Sequence, residues 1–155
     1  MDAVQPPVRG LPRGIILRSA AQAGMALRLA RELGCAGPLS LVSPPGAARW
    51  LGPRLFLAMV EAAARSAPGL VLLPALDCRG APGFALAALR AGVPVVVLEP
   101  GCPAFPAVAE AAAALPGVAL WPAPPPALDL GPRNSLDPAT QIRLHQWLGT
   151  EEAGG

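Results

Sequence analysis

Charged and thiol side chains follow two apolar runs in the middle of this chain. Asp77, Cys78 and Arg79 come directly after LVLLPAL, and Glu99 and Cys102 follow VPVVVL. A carboxylate can serve as a general base or a ligand, and a thiolate can serve as a nucleophile or a metal ligand. Because the carboxyl ends of parallel strands meet at one edge of a sheet, we expect these side chains to share that edge.

Each of these residues also has a purely structural interpretation. A strand-end aspartate such as Asp77 can instead cap the next helix or accept loop amides. Cys78 and Cys102 could form a redox or thiolate pair, whereas small thiols in most settings only pack. Arg79 could pair with Glu99 or hold an anionic ligand. The sequence leaves these alternatives open.

Two serines and one glycine extend the set of candidate ligand-binding positions. Ser19 and Ser43 end the first two apolar runs and could line a phosphate or sugar site, or cap the next helix. Gly101 follows Glu99 and is a further ligand-binding candidate. His145 lies beside Arg143 in the last helical segment, and we interpret it as a surface histidine.

The residue types that are absent limit the chemistry. All 12 basic residues are arginine and there is one histidine, so a lysine Schiff base, a phosphate-loop lysine and a multi-histidine zinc site are excluded. We predict no metal site and no cofactor. The three cysteines form no CxxC pair, which favours a reducing compartment over a disulfide framework.

Length, charge and hydropathy set the protein class. A chain of 155 residues with 53% hydrophobic content fits one domain with one core. No apolar stretch reaches the roughly 20 residues of a membrane-spanning helix, so we expect a soluble cytoplasmic protein that binds no membrane. A net charge of +2 with scattered arginines gives no support for nucleic-acid binding.

Apolar runs alternate with helical patterns along the chain. We predict helices at about 20–34, 54–66, 82–91 and 105–115, each after a short strand, and a fifth strand at 118–123. Spacings of this kind are typical of right-handed βαβ crossovers. The predicted fold class is α/β, with about five sequential βα units and a parallel sheet, built as a partial (β/α) barrel or an open doubly wound sheet.

The predicted domain occupies residues 14–149, between an irregular lead-in (1–13) and a frayed tail (150–155). It includes a proline-rich surface connection at about 122–133 and a terminal helix at about 137–148. A sheet of five strands would leave an open edge, which natural proteins pair or cover. We therefore expect a homo-oligomer, formed through that edge or through a surface bearing Trp121 or Trp147.

The order of motifs from Pro38 to Gly101 resembles the class II fructose-bisphosphate aldolase family. Ser43 and its small-residue turn resemble an early strand end of that family, ALDCRG (75–80) its His-Leu-Asp-His-Gly motif, and Glu99-Pro100-Gly101 its Asp-Gly-Ser. The resemblance implies a shortened barrel in which Asp77 takes the position of the proton-transferring aspartate. Cys78 then stands where the family has a zinc-binding histidine, and the other histidine ligands have no counterpart.

These features together favour a non-catalytic domain that acts by binding or assembly, with a small anionic ligand as one expected partner. The alternative is a diverged lyase, or a thiol-dependent enzyme or sensor that uses Asp77 with Cys78 or Cys102. A receiver-like or flavodoxin-like module is a third interpretation, but neither an acidic pair nor a phosphate loop accompanies the strand-end aspartate.

Overall fold

The computed structural model describes residues 13–35 and 37–149, in which strands and helices alternate. The strands are β1 Gly14–Ile16, β2 Leu39–Val42, β3 Leu72–Asp77, β4 Val95–Val97, β5 Ala119–Trp121 and β6 Ala127–Leu128. The helices are α1 Ala20–Glu32, α2 Pro53–Ala64, α3 Pro82–Arg90, α4 Phe105–Ala113 and α5 Pro138–Gly149. The predicted α/β class is confirmed. The tail at 150–155 and all of the lead-in except Arg13 lie outside the described residues.

All six strands are parallel and form one open sheet in the order β5-β4-β3-β2-β1-β6. The first five strands follow the chain order across the sheet, and β6 returns to pair with the far side of β1. The sequence analysis missed β6, because its two residues lie within the proline-rich connection at 122–133.

The helices all pack against one face of the sheet. The main core contains side chains from all five helices together with strand residues such as Ile15, Leu41 and Val96. Right-handed crossovers that step in one direction across a sheet place their helices on the same face, which explains the arrangement of α1 to α4. The sheet is open, as in the second of the two predicted alternatives, but it is not doubly wound, because its helices cover one face only. Helices on one face are the arrangement of the first alternative, the partial (β/α) barrel. None of the described helices is long and apolar enough to cross a membrane.

The opposite face, here called the second face, carries its own apolar cluster. Its buried members are Val42, Ala75, Val95 and Val97, and Trp121 and Ala127 pack against them. No described helix contributes to this cluster. The chain passes from β5 to β6 between Trp121 and Ala127, so the proline-rich connection begins and ends on this face.

The short connection between β5 and β6 requires a strongly curled sheet. The six residue-to-residue steps from Trp121 to Ala127 can span at most about 21 Å. Five strand spacings in a flat sheet would separate β5 from β6 by about 24 Å. The sheet must therefore curve around its second face, which explains how Val42 and Val97 are buried without a helix over them.

Candidate functional site

Hydrogen bonds tie the ends of β2, β3 and β4 into one unit, here called the rim cluster and made of Ser43, Asp77, Arg79 and Glu99. The backbone N–H of Asp77 donates to Ser43 Oγ (2.8 Å), and Asp77 Oδ1 accepts the backbone N–H of Arg79 (2.9 Å). The backbone N–H of Glu99 donates to the carbonyl of Arg79 (2.8 Å). Four of the predicted site residues are thus neighbours.

Asp77 holds a carboxylate in a fixed orientation at this edge. The residue is only 4% exposed, and Oδ1 is engaged by the turn that follows β3. No described group donates a hydrogen bond to Oδ2. Among the described residues, the one buried side-chain oxygen or nitrogen without a partner belongs to Gln22, so Oδ2 is not fully buried. That oxygen therefore meets solvent at the rim, where it can accept a hydrogen bond from a bound molecule.

Arg79 adopts a backbone conformation that arginine rarely takes. Its φ is +49°, the one positive φ among the described non-glycine residues, and this region costs about 1 kcal/mol for a residue with a side chain. Its Cγ lies close to Gly46, where an added Cβ would meet it at 3.2 Å. Its Nη1 is 3.9 Å from Glu99 Oε1, and both side chains are more than half exposed (52% and 56%). The guanidinium is available to solvent rather than locked in an ion pair.

Cys78 points away from this group into the main core. The residue is fully buried, its Sγ is 3.9 Å from the carbonyl of Leu76, and its N–H pairs with Val97. Burial, and to a smaller extent the charge of Asp77, raises the pKa of the Cys78 thiol to about 12. A thiol of this kind is almost entirely protonated at neutral pH and is a poor nucleophile.

The remaining predicted positions contribute less to the rim. The hydroxyl of Ser43 is buried, where it accepts from Asp77 and lies 3.3 Å from the carbonyl of Pro44, so its role here is structural. Cys102 is half-buried against the main core and donates its N–H to the carbonyl of Glu99. Gly101 is exposed, and a Cβ there would meet nothing within 4 Å.

A second group of polar contacts, which the sequence analysis missed, joins β1 to β6. It is called the seam and consists of Arg18, Gln22, Asp129 and the carbonyls of Leu130 and Gly131. Arg18 donates to both carboxylate oxygens of Asp129, at 2.8 and 2.6 Å. The hydrogen bond from Arg18 is the main cause that lowers the pKa of Asp129, and the N–H of Gly131 also donates to this carboxylate.

Gln22 is the buried part of the seam. Its Nε2 donates to the carbonyls of Leu130 and Gly131, both at 3.1 Å, from the first turn of α1. The helix begins at Ser19, whose Oγ accepts the N–H of Gln22, so this strand-end serine is a helix cap. The Oε1 of Gln22 is the one buried side-chain oxygen or nitrogen of the described residues without a partner.

The charged residues of the rim cluster and the seam are related by the alternation of side chains between the two faces of the sheet. Ile16, Ala75, Val97 and Ala127 belong to the cluster on the second face. Side chains two residues apart along a strand point to the same face. The residues two positions further on are all charged: Arg18, Asp77, Glu99 and Asp129. At this edge of the second face, four of the six strands are thus followed by a charge, whereas the same position after Val42 is Pro44 and after Trp121 is Ala123. This spacing could have singled out Arg18 from the sequence, but Asp129 required knowledge of β6.

Metal-ligating side chains do not cluster in the described part of the chain. Within residues 13–35 and 37–149, no three His, Cys, Asp or Glu side chains lie close enough together to hold a metal ion. Comparison with known proteins adds no assignment: no family model matches the chain, and no curated protein matches it. The resemblance to class II aldolases therefore extends no further than the α/β parallel-sheet class.

Proposed function

We propose that this domain binds a small anionic molecule at the rim cluster. The observation that carries the proposal is the conformation of Arg79, whose left-handed backbone presents an exposed guanidinium at the end of the central strand β3. Glycine or asparagine would adopt this φ at lower cost, so the fold alone does not call for arginine here. Strained backbone of this kind is concentrated at functional sites.

The other rim side chains indicate what else the ligand carries. Asp77 Oδ2 and the half-exposed carboxylate of Glu99 are hydrogen-bond acceptors beside the Arg79 cation. A fully anionic ligand would be repelled by these two carboxylates. A molecule with a phosphate or carboxylate at one end and hydroxyl groups at the other matches both parts, with the anion on Arg79 and the hydroxyls on Asp77 and Glu99.

The thiol-dependent alternative has less support. Cys78 is fully buried with its thiol pKa raised to about 12, and Cys102 packs partly against the main core. A lyase of the class II aldolase kind would need metal ligands beside Asp77, and no three metal-ligating side chains of the described residues lie together. Binding without covalent chemistry is the function that these contacts favour.

Assembly through the β5 edge of the sheet is also less favoured. Ala119 and Trp121 direct their backbone groups toward β4, so only Val118 and Leu120 face outward from β5. Pro116 and Pro122, which flank these residues, have no N–H to donate. Prolines of this kind are a known means of preventing edge-to-edge pairing.

The test is a binding titration with three probes: glycerol 3-phosphate, inorganic phosphate and glycerol. We expect glycerol 3-phosphate to perturb backbone NMR signals of residues 77–80 and 99 at lower concentration than either fragment. Arg79→Gly should weaken this binding about tenfold or more. The same substitution should leave the fold as stable as before or slightly more stable, because it removes the strained φ.

Two further variants separate binding from folding. Asp77→Asn keeps an oxygen for the N–H of Arg79 but removes the charge, so the fold should persist while binding weakens. Arg31→Ala, an exposed arginine in the last turn of α1, should change neither. Equal perturbation by glycerol 3-phosphate in wild type and in Arg79→Gly, or no perturbation near residues 77–80, would contradict the proposal.

A further inference from the structure

A groove outside the rim cluster separates the first turn of α2 from the second half of α3. Its volume is about 460 Å³, and its lining residues are Gly52, Pro53, Arg54, Ala87, Arg90 and Ala91. The lining contains two cations and no acidic residue. Its walls are otherwise proline, glycine and alanine, so the groove is apolar between its two arginines.

Large exposed apolar side chains lie close in sequence to the residues that line this groove. Trp50 lies two residues before the lining and is 68% exposed, the highest value for a large apolar side chain in the described chain. Leu55 follows Arg54 directly and is also exposed. Phe84 lies one helical turn before Ala87 on α3 and is exposed as well. Exposed aromatic side chains beside a groove are typical of protein interfaces.

Among the described residues, no acidic side chain neutralises the two arginines of the groove. The ion pairs of the described residues are Arg18–Asp129 and Arg79–Glu99, and neither includes Arg54 or Arg90. Within residues 13–35 and 37–149 the two guanidinium groups make no hydrogen bond either, and both residues are exposed. Arg49, at the end of the short helical turn before Trp50, adds a third exposed cation.

We propose that the groove lined by Arg54 and Arg90 docks an acidic segment of a partner protein that carries an apolar anchor residue. Carboxylates of such a segment would pair with the two guanidinium groups, and its apolar side chain would lie on Pro53 and Ala87. Complementary charge fixes the choice of partner and its register, while the apolar contact supplies most of the affinity. This inference does not depend on ligand binding at the rim cluster.

Charge argues against one other occupant, and shape argues against another. A second copy of this chain docked by the same face would bring two Arg54 and two Arg90 side chains together, which repel one another. A membrane surface is flat and would leave the groove between α2 and α3 unfilled, although its phosphates would attract the same arginines. An acidic polypeptide segment fits both the concave shape and the charge.

The experiment is a selection from a random-peptide phage library on the immobilised full-length protein. Enriched sequences should be rich in Asp and Glu with an aromatic or branched aliphatic residue. Synthetic peptides made from them should bind in fluorescence polarisation, more weakly as salt increases. The Arg54→Ala/Arg90→Ala double variant should weaken binding about tenfold or more. Trp50→Ala should also weaken it.

Matched variants control for charge and exposure. Arg28→Ala/Arg31→Ala removes the same charge from α1, and Ile142→Ala removes an exposed apolar side chain from α5, so both should bind the peptides as wild type does. Neutral or basic enriched sequences, no enrichment, or unchanged binding by Arg54→Ala/Arg90→Ala would overturn the proposal. Arginine-dependent binding to vesicles of phosphatidylcholine and phosphatidylserine, with no peptide enriched, would assign the face to a membrane instead.

Discussion

The rim cluster and the seam both place an arginine beside a carboxylate at the carboxyl edge of one sheet, but the two pairs differ in geometry. At the seam, Arg18 and Asp129 meet in two hydrogen bonds of 2.8 and 2.6 Å. At the rim, Arg79 and Glu99 approach only to 3.9 Å. The seam side chains are 37% and 47% exposed, and those of the rim 52% and 56%. The seam pair is a bidentate contact and the rim pair is a loose one.

The hydrogen bonds that surround the two pairs differ as well. The seam has an additional hydrogen bond from Gln22, which joins α1 to the segment after β6, and one from Gly131 to Asp129 within that segment. At the opposite end of β1, Trp147 of α5 donates to the carbonyl of Gly14. Charge at the seam therefore holds the last part of the chain against β1. At the rim, the hydrogen bonds are donated by backbone N–H groups, which leaves the side chains of Arg79 and Glu99 free for a ligand.

The largest expected effect concerns the thiol beside the rim. Cys78 should react with iodoacetamide at pH 8 on the order of a thousandfold more slowly than an unstructured cysteine, because its pKa of about 12 leaves little thiolate. Mass spectrometry of the native protein should find label at Cys35 and Cys102 first, since both are only half-buried. Rapid labelling of Cys78 would place a reactive thiol at the rim and contradict a purely non-covalent role for the rim cluster.

The next effect is on stability at the seam. Gln22→Ala should lower the free energy of unfolding by about 1–3 kcal/mol, because it leaves the carbonyls of Leu130 and Gly131 without their donor. Gln141 is a matched control, since its Nε2 also donates to a carbonyl but on the exposed surface. Urea unfolding of the two alanine variants measures the difference. Equal effects would mean that the seam is no stronger than an ordinary surface contact.

The smallest effect is the pH dependence of the seam. The pKa of Asp129 is lower in the folded protein, so its contribution to stability is fully present above the unfolded value of about 3.9 and is lost as pH falls through the folded value. Both partners are more than one third exposed, so the contribution is less than about 1 kcal/mol. Asp129→Asn should therefore reduce the loss of stability between about pH 5 and pH 2. Glu110→Gln, on the exposed side of α4, should leave that loss unchanged.

The strands and helices that could be predicted from the sequence are those that depend on repeated local patterns. Apolar runs and helix ends located the first five strands and the terminal helix within a few residues, because burial and helix capping act locally. The same reasoning correctly grouped Asp77, Arg79 and Glu99 at one edge, since that follows from parallel strands alone.

The missed features depend on distant parts of the chain. The strand β6 has two residues, which pair with Gly14 and Ile15, more than 110 positions earlier. Its identity as a strand, and the pairing of Arg18 with Asp129, come from the return of the chain across the second face. Likewise, the burial of Cys78 depends on which face of β3 the helices cover, which the spacing of apolar residues alone did not settle.

Two double-mutant cycles measured by urea unfolding test the comparison most directly, one with Arg18→Ala and Asp129→Ala and the other with Arg79→Ala and Glu99→Ala. We predict a coupling free energy of about 0.5–1 kcal/mol at the seam, where the pair is bidentate, and about zero at the rim. A coupling at the rim as large as that at the seam would show that Arg79 and Glu99 serve the fold. That result would contradict the claim that the rim charges are free to bind a ligand.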